Sequence, residues 1–74
     1  MSARPVKHSV TLKGHRTSVS LEAEFWEVFQ KLARDRGQSL NDLAAEVDAS
    51  RAGDLGLASA IRVFVLKAVM ARAQ

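Results

Sequence analysis

The stretch His15–Phe29, "HRTSVSLEAEFWEVF", changes from a strand pattern to a helix pattern without an intervening loop. Over residues 15–20, polar and apolar residues alternate, which is typical of a half-buried strand. From Glu22 onward, apolar residues recur at helical spacing. A strand of about six residues exposes a row of unpaired backbone groups, so it needs a second strand beside it. The fold therefore depends on where that second strand comes from.

Three helices are predicted over residues 22–36, 39–50 and 57–72, so the chain is mainly α. Ser20 can cap the first helix, and Gly37 supplies the left-handed residue that ends it. Ser39 can cap the second helix, with Asp42 three residues later as in a capping box. The apolar stripes of the first two helices predict the core residues Phe25, Phe29, Leu32, Leu43 and Val47.

The third helix is apolar on two sides when it is projected at 100° per residue. Such a helix is buried on two sides. In so short a chain we expect the second side to meet another subunit, and we predict Phe64, Val65 and Val69 as an oligomer surface. One side carries Leu57, Ile61, Phe64, Val65 and Ala68, and the other carries Val63, Leu66, Val69 and Met70.

A second strand is suggested over residues 9–12, where Val10 and Leu12 alternate with polar residues. Gly14 interrupts the alternation, and two interpretations remain open. A bulge at Gly14 would reset the parity of one continuous strand. A hairpin turn through Lys13–Arg16 would instead set Val10 against Val19 and Leu12 against Thr17, and would place Arg16 in the turn.

The length, cysteine content and charge of the chain limit the number of domains and indicate the type of partner. A chain of 74 residues forms at most one domain and is marginally stable alone. It has no cysteine, which excludes disulfides and is compatible with a reducing cytoplasm. Residues 1–16 carry four Lys or Arg and no acid, which favours an anionic partner. We predict a flexible basic arm over 1–7 and a domain over 8–74, with neither a signal peptide nor a membrane span.

The simplest closed arrangement of the strand 15–20 is a two-fold dimer in which it pairs antiparallel with its own copy. One face of this ribbon would carry Thr17, Val19 and Leu21 inward, onto the helical stripes, as part of a dimer core. The other face would carry Arg16, Ser18 and Ser20 outward.

The segment "RTSVSLEAEFWEVFQKLARDRGQSLNDLAAEV", residues 16–47, resembles the ribbon-helix-helix family of bacterial DNA-binding proteins, which includes the Arc and methionine repressors. The strand, the striped helix, the G-x-S turn and the second helix occur in the family's order. The wider pattern, with "SAIRVFVL" following, covers roughly residues 8–66 and is similar to an uncharacterised subfamily with an extra C-terminal helix.

This resemblance implies an intertwined dimer whose two-stranded ribbon enters the major groove of double-stranded DNA, as in a transcriptional repressor. It implies base contacts from Arg16, Ser18 and Ser20. Among these, only Arg16 can bind guanine through two hydrogen bonds, so readout would be weak at the serines. The turn before the second helix would offer backbone amides to phosphate, since a helix N-terminus binds anions. The predicted phosphate contacts are Lys13, His15, Ser39, Leu40 and Asn41.

Three alternatives accompany this interpretation. A protein-interaction module of the same fold, antitoxin-like or an oligomerising adaptor, would bind little DNA and would form a tetramer or recruit a protein partner. A metal switch would use His8 and His15 from both chains, but surface or phosphate-contacting histidines are the simpler interpretation, so no metal or cofactor is predicted. An enzyme is disfavoured, because the chain shows no nucleophile constellation and no glycine-rich phosphate loop.

Overall fold

The computed structural model describes residues 4–73, which form a β-hairpin followed by three helices. The strands are β1 (Val6–Leu12) and β2 (His15–Leu21), and the helices are α1 (Ala23–Asp35), α2 (Leu40–Ser50) and α3 (Leu57–Arg72). The predicted fold class is confirmed as mainly helical with a short ribbon, and each predicted helix is found within one residue of its expected ends.

The hairpin interpretation of Gly14 is correct, and the bulge interpretation is wrong. β1 and β2 pair antiparallel from Val6↔Leu21 to Leu12↔His15. Only Lys13 (φ 52°) and Gly14 (φ 86°) lie between the strands. Positive φ at both central residues is the mark of a type I′ turn, whose twist matches that of the flanking strands.

The register differs from the predicted one because the turn is tighter than expected. Val10 lies opposite Thr17 rather than Val19, and Leu12 lies opposite His15 rather than Thr17. The shift is two residues, so the inward and outward faces stay as predicted. Arg16 therefore stays in β2, opposite Thr11, and is not part of the turn.

The first strand is longer than the segment 9–12 suggested. β1 begins at Val6, so Val6 and Lys7 of the predicted arm belong to the strand. Residues 1–3 of that arm lie outside the described residues.

Capping sets the helix boundaries. Ser20 does not cap α1: the N-cap is Glu22, and its side chain makes no capping bond. At the other end, Gly37 (φ 68°) donates its N–H to Arg34 O at 3.0 Å, and Gln38 donates to Ala33 O at 2.9 Å. These two bonds form a Schellman motif. The predicted cap of α2 is confirmed, since Ser39 Oγ accepts the N–H of Asp42 at 3.0 Å.

The core is closed within one chain, between the inward face of the hairpin and the three helices. Of the residues predicted for a dimer core, six are buried in the single chain, whereas Phe25 is half-buried and Thr17 is exposed. The buried apolar residues are Val10, Val19, Leu21, Phe29, Leu32, Ala33, Leu43, Ala44, Val47, Ala60, Ile61 and Val65.

α3 is apolar on two sides, as its sequence pattern indicates. The prediction of Val65 as an oligomer surface is wrong, because Val65 follows Ile61 by one helical turn and is 4 % exposed in the core. Phe64 is half-buried and meets the Phe29 ring edge-on, with 6.1 Å between centroids. The outer stripe of α3 consists of Val63, Leu66, Val69 and Met70, which are 43–55 % exposed.

Candidate nucleic-acid interface

The outer face of the hairpin is entirely polar and contains no acidic residue. Directly paired residues of an antiparallel hairpin project to the same face. Three alternate pairs of the register, Lys7↔Ser20, Ser9↔Ser18 and Thr11↔Arg16, therefore share the side away from the core. Five of these six residues are exposed and Thr11 is half-exposed.

The predicted base-contacting residues Arg16, Ser18 and Ser20 lie together on this face. The structure adds Lys7, Ser9 and Thr11 from β1, which the sequence pattern does not identify because it allows two pairings of this segment. The usable signal was the dipeptide Lys13–Gly14 between two alternating runs, since a glycine in a two-residue loop favours a tight hairpin.

The cations of the hairpin are free of carboxylates. Lys7, Lys13 and Arg16 form no salt bridge with any acidic residue described by the structure. Residues 4–21 contain no Asp or Glu. The positive potential of these side chains is therefore directed to solvent and available to an anion.

The helical part of the chain is arranged in the opposite way. Residues 22–74 hold seven Lys or Arg and eight Asp or Glu, so this part is nearly neutral. Five of these cations are within salt-bridge distance of a carboxylate. The pairs are Lys31–Asp35, Arg36–Glu46, Arg51–Asp48, Arg62–Glu22 and Arg72–Asp35.

Glu22, the first acidic residue after β2, is held by α3. Arg62 Nε donates to Glu22 Oε1 at 2.9 Å, and Arg62 Nη2 donates to Ser20 O at 3.3 Å. The hydrogen bond from Arg62, with a further backbone hydrogen bond, lowers the pKa of Glu22 from its ordinary 4.5. This pair neutralises the carboxylate nearest in sequence to the polar face.

The N-terminus of α2 lies beside the outer edge of β1. Asn41 Oδ1 accepts the N–H of Thr11 at 3.0 Å, which ties the first turn of the helix to the strand. The N–H groups of Leu40 and Asn41 have no intrahelical acceptor, because they belong to the first turn. Of the predicted phosphate contacts Ser39, Leu40 and Asn41, the latter two thus offer amides, whereas Ser39 Oγ is used as the cap. Asp42 in the same turn opposes an anion there.

Lys13 and His15 are exposed at the turn end of the hairpin, close to α2. The other histidine has a packing role. The ring of His8 stacks on Trp26 with 3.8 Å between centroids and 4° between planes. Within residues 4–73, no group of three or more His, Cys, Asp or Glu is placed to hold a metal.

The comparison with known families agrees with this architecture. Residues 5–69 match the model of a ribbon-helix-helix domain, which covers most of the chain. The chain belongs to the ribbon-helix-helix family. This is a family of DNA-binding regulators and antitoxin-like proteins rather than of enzymes. No curated protein sequence and no solved structure gives a significant match. None of the described helices combines the length and the apolar character that a membrane crossing requires.

Proposed function

We propose that this ribbon-helix-helix protein is a DNA-binding transcriptional repressor and autoregulator that acts as a homodimer in the bacterial cytoplasm. The observation that carries the proposal is the acid-free outer face of the hairpin. Among the described residues, Lys7, Lys13 and Arg16 form no ion pair with a carboxylate, whereas most cations of the helices do. A positively charged face without neighbouring carboxylates is suited to binding an anionic surface.

The shape of the hairpin suits the major groove, which admits a two-stranded ribbon and displays a distinct hydrogen-bonding pattern for each base pair. Arg16 can donate two hydrogen bonds to guanine O6 and N7. Ser18 and Ser20 can donate or accept, so they contact bases with little discrimination. Sequence preference should therefore depend mainly on Arg16.

Phosphate contacts would flank the ribbon. Lys13 and His15 lie at its turn, and the amides of Leu40 and Asn41 lie beside β1. These groups fix the position of the protein on the duplex without reading its sequence. Because such contacts release condensed counterions, affinity should fall steeply with salt.

The outer stripe of α3, Val63, Leu66, Val69 and Met70, is the proposed site of a second chain. Exposed contiguous apolar surface on a small domain marks an association site. Arg62 and Arg72 of this helix do not oppose the approach of a copy, since they are paired with Glu22 and Asp35.

Fluorescence anisotropy with labelled duplexes tests the proposal. The protein is titrated against DNA from its own upstream region and against a scrambled duplex, at several salt concentrations. Tighter binding to its own upstream DNA, with a slope of log affinity against log salt near −0.9 per neutralised phosphate, is the expected result. Equal binding to both duplexes would indicate that the protein binds the phosphate backbone without reading the sequence. Absence of binding at low salt would refute the proposal.

A protein-interaction module is the second candidate, and the α3 stripe favours it. In that case the stripe would bind a different protein and the hairpin would bind little DNA. The variant Leu66→Glu separates the two functions. We expect it to weaken the homodimer, as measured by sedimentation, while the hairpin of each chain still binds DNA with reduced affinity.

A further inference from the structure

We propose that a cleft between the C-terminal end of α2, the loop 51–56 and the middle of α3 binds a small apolar carboxylic acid in its anionic form. The apolar walls of the cleft would hold the hydrocarbon part of the ligand, and Lys67 would hold the carboxylate. No residue of the hairpin lines this cleft. The proposal therefore does not depend on the proposed DNA binding.

The walls of the cleft are mostly apolar. Val47 and Ala60 at its base belong to the buried core, whereas Val63 is 43 % exposed. The cleft therefore leads from solvent onto the core, and an apolar ligand in it would be shielded from water on one side. The apolar lining residues are Val47, Ala52, Leu55, Ala60, Val63 and Phe64.

The size of the cleft limits the ligand to a small molecule. Its volume is about 280 Å³, which is near the lower end of the range of roughly 300–1,000 Å³ for small-molecule sites. An apolar cavity of about 150 Å³ holds one benzene molecule. The cleft therefore has room for one ring or one branched chain together with a single polar group.

The loop that forms one wall is held in place by hydrogen bonds. Arg51 Nε donates to Asp48 Oδ1 at 2.7 Å, and Arg51 Nη1 donates to Leu55 O. Leu55 N–H donates in turn to Ala52 O at 2.9 Å. In the opposite wall, the ring of Phe64 is half-buried against the core. Both walls are thus formed before a ligand arrives, so ordering of the loop does not oppose binding.

Lys67 supplies the uncompensated charge of the cleft. The other cation that lines it, Arg51, is paired with Asp48 at 2.7 Å. Within residues 4–73, no carboxylate lies within salt-bridge distance of Lys67, and no acidic residue lines the cleft. Lys67 follows Val63 by four residues, so the ammonium group and an apolar wall share one face of α3.

This combination of an apolar cleft and one unpaired ammonium group defines the class of ligand. It is suited to a ligand with an apolar body and a single negative charge, and a carboxylate both carries that charge and accepts hydrogen bonds from Lys67. A phosphate monoester carries about −1.5 to −2 charges at pH 7, which is more than Lys67 alone balances. The ligand class is therefore the small aryl or branched-alkyl monocarboxylates.

Titration of the full chain with phenylacetate, followed by NMR of backbone amides and methyl groups, tests the site. Isovalerate is the second acid, and the neutral isostere phenylacetamide is the control. We expect saturable shifts at Ala52, Ala60 and Val63 with both acids, and much weaker binding of the amide. Absence of saturable shifts with both acids would overturn the proposal. So would equal binding of phenylacetate and phenylacetamide, or shifts confined to Leu66 and Met70 of the outer stripe.

Lys67→Gln tests the contact with the carboxylate, and Arg34→Gln is the matched control. Arg34 of α1 is also exposed and, among the described residues, has no carboxylate within salt-bridge distance. We expect Lys67→Gln to weaken phenylacetate binding about tenfold, the lower end of what a hydrogen bond to a charged group contributes. Arg34→Gln should bind as wild type does. Equal affinities of the two variants would overturn the role of Lys67.

Ala52→Phe tests the location of the ligand, because it places a ring in the cleft from an exposed position. Ala71→Phe adds the same ring at an exposed position of α3 that does not line the cleft. We expect Ala52→Phe to abolish the phenylacetate shifts and Ala71→Phe to retain them, with circular dichroism checking that both variants fold. Unchanged binding in Ala52→Phe would overturn the proposal. Shifts of the cleft resonances on dilution without ligand would show that a second copy covers the cleft, and would overturn it too.

Discussion

The hairpin and the helical part of this chain differ in how their cations are paired. Arg62 and Arg72 of α3 are bound to carboxylates at 2.9 Å, whereas Arg16 of β2 faces solvent with no acid in its segment. Paired arginines join elements of the fold, Arg62 to Glu22 and Arg72 to Asp35. An unpaired arginine on a flat polar face contributes little to folding. The same residue type therefore joins elements of the fold in one region, and in the other it is left available for the proposed DNA contact.

The two faces of the hairpin also differ, because one is buried in the core and the other is exposed and polar. A charge on the buried face, as in Val19→Asp, should have the largest effect on stability. Val19 is 3 % exposed, and an unpaired buried charge costs about 3–5 kcal/mol. That is a large share of the stability of a small domain. We expect Val19→Asp to unfold the chain, as measured by circular dichroism and urea denaturation.

Ser18→Asp is the matched control, because the adjacent residue points to the outer face. It should remain folded, with a midpoint in urea close to that of wild type. A folded Val19→Asp protein would contradict the burial of this side of β2.

Arg16→Ala should affect recognition while leaving stability almost unchanged. Loss of a bidentate base contact costs roughly 1–3 kcal/mol of binding and relaxes the preference for guanine at one position. Anisotropy titrations with the upstream duplex and with a duplex mutated at single base pairs measure both effects.

The comparison variant for Arg16 is Arg72→Ala, which removes a paired arginine from α3. It should lower stability only slightly, because exposed ion pairs contribute little, and it should change DNA affinity much less than Arg16→Ala. If both variants weakened binding equally, overall charge rather than the hairpin face would control affinity.

Gly14→Val should have an intermediate effect, confined to the hairpin. Gly14 has φ 86°, which a β-branched residue adopts only with strain. Left-handed backbone costs an L-residue about 1–2 kcal/mol, and we expect a loss of stability of that size in urea denaturation. DNA affinity should fall with it, since the turn sets the register of both strands.

Gly53→Ala provides the control for Gly14→Val. A Cβ atom added at Gly53 meets nothing within 4 Å, and its backbone lies outside the positive-φ region. Its stability should equal or slightly exceed that of wild type. Equal losses at both glycines would show that the turn conformation is not the cause.

Local patterns in the sequence predicted the elements well, because their causes are local. The alternation through Thr17, Val19 and Leu21, the cap at Ser39 and the left-handed Gly37 each depend on neighbours within a few residues. The two-sided character of α3 followed from helical spacing alone. Which side faced the core did not, so the predicted oligomer surface combined residues of both sides and wrongly included Val65.

Contacts between distant parts of the chain had no comparable signal. Arg62 bonds to Glu22 across forty positions, and Asn41 bonds to Thr11 across thirty. The stacking of His8 on Trp26 depends on how the hairpin sits on α1. Which residues form the outer face depends on whether Gly14 is a hairpin turn or a bulge. Because the sequence pattern allowed both, the three residues that β1 contributes to this face were not predicted.

Acid should weaken the helical part of the molecule by a small amount and should spare the hairpin, which has no carboxylate in residues 4–21. Hydrogen bonds from Arg62 and from Arg72 lower the pKa of Glu22 and of Asp35 below 4.5 and 3.8. A carboxyl whose folded pKa is depressed stabilises the fold above its unfolded pKa. That contribution is lost as the pH falls through the folded pKa.

Asp35 is exposed and Glu22 is partly exposed to solvent, so the loss below about pH 4 is the smallest effect expected here. NMR titration of the carboxyl carbons measures it directly. Arg62→Gln should raise the pKa of Glu22 and leave that of Asp35 unchanged, while Arg72→Gln should do the reverse. A Glu22 pKa that stays the same in Arg62→Gln would show that the pair seen at 2.9 Å does not hold the helical body together in solution.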